Sequence, residues 1–372
     1  KLAHLGRISG HDAQAVNPPL VRASTTLFET LADLRQAREA IAYEVPRYGI
    51  YGTRTTFELQ TAMAELCGTE SCLATASGLS AIAATLAAHA HPGHRILVQN
   101  GVYEPTRAFA EQELSRSCEV DFFDTPARLR DLIDERTSLV FIEVPTSLTI
   151  RMIDVRQVVR ITTDAGVPLA CDSTWGTPLY FDAHALGIDI SIHAATKYIG
   201  GHSDIMLGLT TGTYDALAST REWCLRYGST TAPDVCWLGL RGLRTLSVRL
   251  ERHQASALHV ASWLEEQPQV ERVLFPALPS DPDHDLWRTY LTGAPGLFTI
   301  ELRPCDEPAL ERFIESLTLF GLGASWGGFE SLVLPVIPHA RRSSEGEPDE
   351  GKPGHGEPDE GKPGHGEPDE GK

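Results

Sequence analysis

Residues 167–198, VPLACDSTWGTPLYFDAHALGIDISIHAATKY, decide how this chain is read. Residues 167–171 form a short apolar run, and Asp172-Ser173-Thr174-Trp175 follows at once. A second run, 188–193, leads into Ala194-Ala195-Thr196-Lys197-Tyr198. Runs this short, closed by polar residues, predict buried strands. They put a carboxylate, Asp172, and an amine, Lys197, just past the carboxyl ends of two strands. In open α/β sheets that edge is where ligands bind.

The same rhythm extends outward. Helical patterns cover 56–67 and 78–90, a strand 95–99, a helix about 105–116, strands 119–123 and 138–142, and a helix 155–165. Strands alternating with helices of this length predict βαβ units and a mostly parallel sheet, an α/β fold. Residues 212–255 read as largely helical. Between 257 and 340, a helix (257–266), two strands (270–275, 296–302) and a helix (307–317) read as a smaller α+β unit. Residues 1–55 are mixed and loop-rich. The decapeptide GEPDEGKPGH at 346–355 recurs at 356–365 and begins again at 366. It has no apolar side chain, cannot bury a core and is expected to be disordered.

The formal net charge of −18 argues against nucleic acid or an anionic membrane as the main partner. Cysteines 67, 72, 118, 171, 224, 236 and 305 form no Cys-x-x-Cys, and an odd count makes a poor disulfide framework. They read as reduced, small core residues. No apolar run reaches the roughly 18 residues of a membrane span, and no signal peptide is visible, so a cytoplasmic protein is expected. The sequence opens on Lys1 rather than Met. His89, His91 and His94 read as surface histidines, and no metal is expected. Arg241, Arg244, Arg249 and Arg252 fall partly on one helical face and read as a solvated or subunit-facing ion-pair surface.

Asp172 and Lys197 suit one chemistry together, that of pyridoxal phosphate (PLP). A lysine binds this cofactor covalently, and an acid keeps its pyridine nitrogen protonated so that the ring can act as an electron sink. A phosphate also needs a cradle. Ala76-Ser77-Gly78-Leu79 precedes an Ala-rich helix, whose first N–H groups could hold an anion, although Ser-Gly here is equally an ordinary N-cap. There is no Walker motif and no Gly-x-Gly-x-x-Gly, so nucleotide binding lacks support.

Five further motifs make the reading specific: Ala194-Ala195-Thr196-Lys197-Tyr198-Ile199-Gly200-Gly201-His202-Ser203-Asp204, Asp172-Ser173-Thr174-Trp175, Val102-Tyr103-Glu104-Pro105-Thr106, Arg241-Gly242-Leu243-Arg244-Thr245-Leu246 and Ser325-Trp326-Gly327-Gly328-Phe329-Glu330-Ser331-Leu332. Through them the chain resembles the cysteine/methionine-metabolism family of PLP-dependent enzymes, and within it the bacterial β-lyases acting on cystathionine. The resemblance implies PLP-dependent transferase fold type I: a mostly parallel seven-stranded sheet flanked by helices, with a smaller α+β C-terminal domain. It implies an arm (1–55) reaching a neighbouring subunit's site, a PLP-binding domain (56–240), a small domain (241–342) and the repeat tail (343–372). Lys197 resembles the lysine that binds PLP, Asp172 the pyridinium partner and Tyr103 the tyrosine stacked on the ring. Gly78, Leu79 and Thr196 match the phosphate cradle. Tyr48 matches a tyrosine that reaches the phosphate of a neighbouring subunit, which implies a homodimer or homotetramer with shared sites. Ser325 and Trp326 fall on the substrate side. The implied reaction is α,β-elimination of cystathionine to homocysteine, pyruvate and ammonia, a step of methionine biosynthesis. Pro145-Thr146-Ser147-Leu148, where γ-acting relatives often carry Pro-Thr-Asn-Pro, and Tyr103-Glu104-Pro105-Thr106 both favour β chemistry.

Three departures keep other readings open. Ile50 stands where the family often has the arginine of Tyr-x-Arg, and Ile50 cannot grip a phosphate; Arg54 reads as a solvated loop residue. Ala324 stands where the β-lyases often have tyrosine. From Pro338-His339-Ala340-Arg341-Arg342 the sequence passes straight into the repeat tail, without the family's Arg-x-His-x-Gly-Leu-Glu-Asp strand, whose arginine grips the substrate carboxylate. The small domain is therefore expected to lack a strand and a helix. A truncated relative that keeps the fold without turnover, and a γ-lyase or γ-synthase, are the alternative readings.

Overall fold

The computed structural model describes Leu2, Leu5 and residues 16–336. The expectation for the repeat tail lies outside the described residues. Helix α1 (Leu31–Glu39) opens on a reciprocal cap between Thr30 and Asp33. Then come α2 (Arg54–Cys67), β1 (Ser71–Thr75), α3 (Gly78–Ala88), β2 (Arg95–Gln99), α4 (Glu104–Gln112), β3 (Glu119–Phe123), α5 (Pro126–Leu132) and β4 (Thr137–Glu143). Next are α6 (Val155–Ala165), β5 (Leu169–Asp172), α7 (Thr177–Tyr180), β6 (Ile190–Ala194), β7 (Gly208–Gly212), α8 (Ala218–Tyr227), α9 (Pro233–Leu243) and α10 (Leu246–Glu265). The last elements are β8 (Val270–Leu274), α11 (His284–Tyr290), β9 (Thr299–Leu302), α12 (Glu307–Glu315), β10 (Gly321–Leu322) and β11 (Leu332–Val333).

The main sheet has seven strands in the order β1-β7-β6-β5-β4-β2-β3. All its neighbours pair in parallel except β7, which runs against both β1 and β6. This is the mostly parallel, helix-flanked sheet of fold type I. Strand β4 shows why it is buried on both faces. Leu139 and Phe141 enter one core with Ile82 and Leu86 of α3, while Val140 and Ile142 enter another with Val155, Val158 and Ile161 of α6. Side chains alternate along a strand, so an unbroken apolar run serves two helical layers at once.

Strands β1 and β7 were not anticipated. Thr-rich β7, with glycine at each end, carries little apolar signal, yet every residue of it is buried. Its interior position in the sheet, rather than propensity, makes it a strand. The separate helix read at 257–266 is the second half of the 20-residue α10, since neither glycine nor proline interrupts that stretch.

The region after α10 contains the antiparallel pair β8–β9 and the short pair β10–β11. Its first part shares a core with the main sheet: Val273, Phe275, Tyr290 and Leu291 pack in one cluster with Trp175 and Phe181. The Trp175 and Phe275 rings meet edge to face at 6.3 Å. Farther on, α12 buries no residue fully, and Leu319 and Leu322 are exposed. Six cysteines are buried and Cys305 is exposed, and no disulfide joins any of them among the described residues. Among the described residues no helix is long and apolar enough to cross a membrane.

Candidate active site

The parallel register sets Glu143 at the end of β4 beside Asp172 at the end of β5, and β6 continues the row. Asp172 is 7% exposed. Its Oδ1 accepts the Thr174 N–H at 2.9 Å and the Thr174 hydroxyl at 2.5 Å. Its Oδ2 has no hydrogen-bond donor among the described residues. Burial raises the carboxyl pKa, while the Thr174 hydrogen bonds and the Lys197 charge pull the other way. Thr174 also joins the two strand ends, because its hydroxyl oxygen accepts the Ala194 N–H at 2.8 Å.

Lys197 lies in the turn that closes β6, held by Lys197 N–H to Ala194 O at 3.0 Å and Gly201 N–H to Lys197 O at 2.8 Å. Its Nζ donates to Ser325 Oγ at 3.1 Å and lies 5.2 Å from the centre of the Trp326 ring. Burial pushes the amine pKa below the ordinary lysine value, and Asp172 partly restores it. Ser325 and Trp326 are 128 and more residues away in sequence, and their loop meets the backbone around the lysine turn at two further points. Gly327 has φ of +83°, and a Cβ there would fall 2.8 Å from the Tyr198 nitrogen, so only glycine fits. The Ser203 hydroxyl donates to the Glu330 carboxylate.

Arg249 corrects the sequence reading of a solvated arginine surface. Its guanidinium donates to Tyr198 O at 2.5 Å, Gly242 O at 2.8 Å and Ile199 O at 3.3 Å. Burial lowers its pKa to about 10. It clamps the backbone just after Lys197 onto α9. Arg244 likewise reaches the Leu2 carbonyl at 2.9 Å.

The N-terminus of α3 faces the same strand end. Ser77 caps it, Oγ accepting the Ser80 N–H at 3.0 Å. A Cβ on Gly78 would lie 2.5 Å from the Ala194 Cβ, so glycine lets the helix sit directly against β6. The N–H groups of Gly78 and Leu79 have no acceptor among the described residues, the usual state of a helix's first turn. Thr196 is engaged: its hydroxyl oxygen accepts the Leu207 N–H at 2.9 Å and it donates to Leu207 O at 3.3 Å. Tyr103 caps α4 with a ring 46% exposed, and burial is the first of the influences that raise its phenol pKa.

Tyr48 is elsewhere, on the N-terminal segment, 55% exposed, and among the described residues no contact ties it to Lys197. Arg54 is not a loop residue. It starts α2 and pairs with the buried Glu58 at 3.0 Å. Ile50 lies beside Gly228, its Cδ1 3.5 Å from where a Cβ on that glycine would fall. His202 Nδ1–H donates to Gly200 O at 2.7 Å, which orders the loop after Lys197. The His89 ring turns back on Thr85 O at 2.8 Å.

Glu143 is the residue the sequence reading overlooked. Its Oε2 accepts the Tyr103 N–H at 2.6 Å, and its own N–H donates to Gln99 Oε1 at 3.0 Å. Burial, then the neighbouring Asp172, raises its pKa well above the carboxylate range. The signal was available: Glu143 ends the apolar run of β4 as Asp172 ends that of β5.

Comparison with known proteins agrees with this geometry. Residues 1–351 match the family described as Cys/Met metabolism PLP-dependent enzyme. The chain is 38% identical to the cystathionine β-lyase of Bordetella avium, with 91% of this chain and 87% of the relative aligned. It is 37% identical to the L-alanine/L-glutamate racemase of Wolbachia pipientis wMel, over 90% of this chain and 86% of the relative. It is 34% identical to cystathionine γ-synthase 1, chloroplastic, of Arabidopsis thaliana, over 88% of this chain and 58% of that longer protein. The chain belongs to the Cys/Met metabolism family of PLP-dependent enzymes.

Proposed function

We propose that this protein is a carbon–sulfur lyase that converts cystathionine to homocysteine, pyruvate and ammonia. The observation that carries the reading is the Asp172–Lys197 pair at adjoining strand ends, with Ser325 holding the lysine amine.

The residues present fit PLP. A buried carboxylate with one oxygen lacking a donor calls for a cation, and a protonated pyridine nitrogen supplies one. The open first turn of α3 suits a phosphate. Lys197 would hold the cofactor covalently, Asp172 its ring nitrogen, Gly78, Leu79 and Thr196 its phosphate, and Tyr103 its ring face. When bound, the cofactor supplies an electron sink conjugated to the substrate Cα. Freed when the substrate amine takes its place, Lys197 Nζ would take the Cα proton, and its burial lowers the amine pKa in the direction this requires. Ser325 Oγ orients Nζ, and Trp326 covers one side of it. Breaking the Cβ–S bond then releases homocysteine, and hydrolysis of the remaining fragment gives pyruvate and ammonia.

In the same proposal, residues 1–55 form an arm and 56–240 the cofactor domain. The exposed Tyr48 serves the site of a second copy in a homodimer or homotetramer. Of the arginines near Lys197, Arg249 is spent on three carbonyls and cannot also grip the substrate carboxylate.

Release of pyruvate from cystathionine by the purified chain with saturating PLP tests the reading, and its absence would defeat it. The racemase relative motivates a second reading, because racemisation begins with the same proton removal at Cα. Chiral analysis of alanine and glutamate incubations separates the two.

A further inference from the structure

We propose that Glu143 is a positioning residue for the cofactor-stacking tyrosine, fixing Tyr103 over the Asp172–Lys197 site through the Tyr103 backbone N–H. This rests on the site reading above.

Tyr103 does not belong to a strand. It follows the Gly101 turn after β2 and is the N-cap of α4, with no side-chain cap of its own. The Tyr103 backbone is held from both of its polar groups. Tyr103 O accepts the N–H groups of Thr106 and Arg107 within α4, at 2.9 and 3.1 Å. Tyr103 N–H donates to Glu143 Oε2 at 2.6 Å, across 40 residues of sequence. The first attachment ties Tyr103 to its own helix; the second ties it to the sheet.

Glu143 is itself held firmly. It ends β4 between β2 and β5, its N–H is taken by the buried Gln99, and it is in register with Asp172. Glu143 therefore couples the tyrosine's backbone to the strand edge that carries the pyridinium partner. A buried carboxylate beside a second carboxylate is costly unless it has such a task. Its Oε2 makes that bond, and burial favours a proton elsewhere on the same group. Glutamine at 143 can therefore keep the acceptor without the charge.

The test compares Glu143→Gln, Glu143→Ala, Tyr103→Ala and the Glu143→Ala/Tyr103→Ala double variant in the full chain. PLP affinity is read by titrating the visible absorbance of the bound cofactor, and folding by circular dichroism. Loss of the acceptor for the Tyr103 N–H predicts about tenfold weaker PLP binding for Glu143→Ala, and about threefold or less for Glu143→Gln, which keeps an acceptor oxygen. In the Tyr103→Ala background, Glu143→Ala should add nearly nothing, because the tyrosine through which it acts is gone. Glutamine as damaging as alanine, or additive effects of the two alanine substitutions, would overturn the proposal. A wild-type chain that takes up no PLP would overturn the site reading as well, and is distinguishable because every variant would then be silent.

Discussion

Asp172→Asn should move stability and catalysis in opposite directions. The substitution is almost isosteric. The Asn amide oxygen can still accept both Thr174 donors that now converge on Oδ1. The new NH₂ takes the place of Oδ2, which has no donor among the described residues, so no bond is lost there. What disappears is a buried charge. Burial raises the Asp172 pKa, so above that raised value the folded chain without cofactor carries an unfavourable carboxylate. Removing it should raise stability without cofactor by about 1–2 kcal/mol. The sign also fixes the pH window. The gain is present at neutral and alkaline pH, and fades as acid protonates the wild-type carboxyl. With cofactor bound, the same charge is the partner of the ring nitrogen, and its loss should cost about 10²–10³-fold in turnover. Thermal unfolding with and without PLP, beside pyruvate release from cystathionine, gives both readouts. An Asn variant that is less stable without cofactor, or that keeps wild-type turnover, would refute the reasoning.

Three other outcomes follow from the same geometry. Gly78→Ala forces a Cβ to within 2.5 Å of the Ala194 Cβ; overpacking at α3 should weaken PLP binding by about tenfold with helix content unchanged, read by equilibrium titration. Arg249→Met takes a donor from three backbone carbonyls, of which Gly242 O keeps the Thr245 N–H, and should cost about 2–4 kcal/mol in chemical denaturation; an unchanged midpoint would make the clamp dispensable. His193 is buried on β6 and its pKa is lowered to about 3. The unfolded chain therefore binds a proton there that the folded chain refuses, and stability falls as pH drops below about 6.5 toward the folded value. His193→Gln should flatten that acid slope by up to about 1.4 kcal/mol per pH unit, and identical slopes would exclude the assignment.

Much of the architecture could be read in advance because it rests on local signals. The strands at 95–99 and 119–123 and the helix at 155–165 lie where their apolar patterns put them. What escaped depends on neighbours distant in sequence. Strand β7 is Thr- and Gly-rich and is a strand because β1 and β6 flank it. Arg249 looked like one more charged residue on a helix, and only the fold shows three carbonyls converging on it. Lys197 and Asp172 could be placed at strand ends from the sequence. The Ser325 oxygen beside the lysine amine could not, since no local pattern relates positions that far apart. Glu143 had the same signature as Asp172, but the apolar run before it was read only as a strand.

Covalent mapping of the cofactor tests the central claim most directly. The purified chain is incubated with PLP, reduced with borohydride, digested, and its peptides weighed. A phosphopyridoxyl group on the peptide containing Lys197, lost together with the visible absorbance in Lys197→Ala, is the predicted result. A label on another lysine, or full absorbance in Lys197→Ala, would contradict the account.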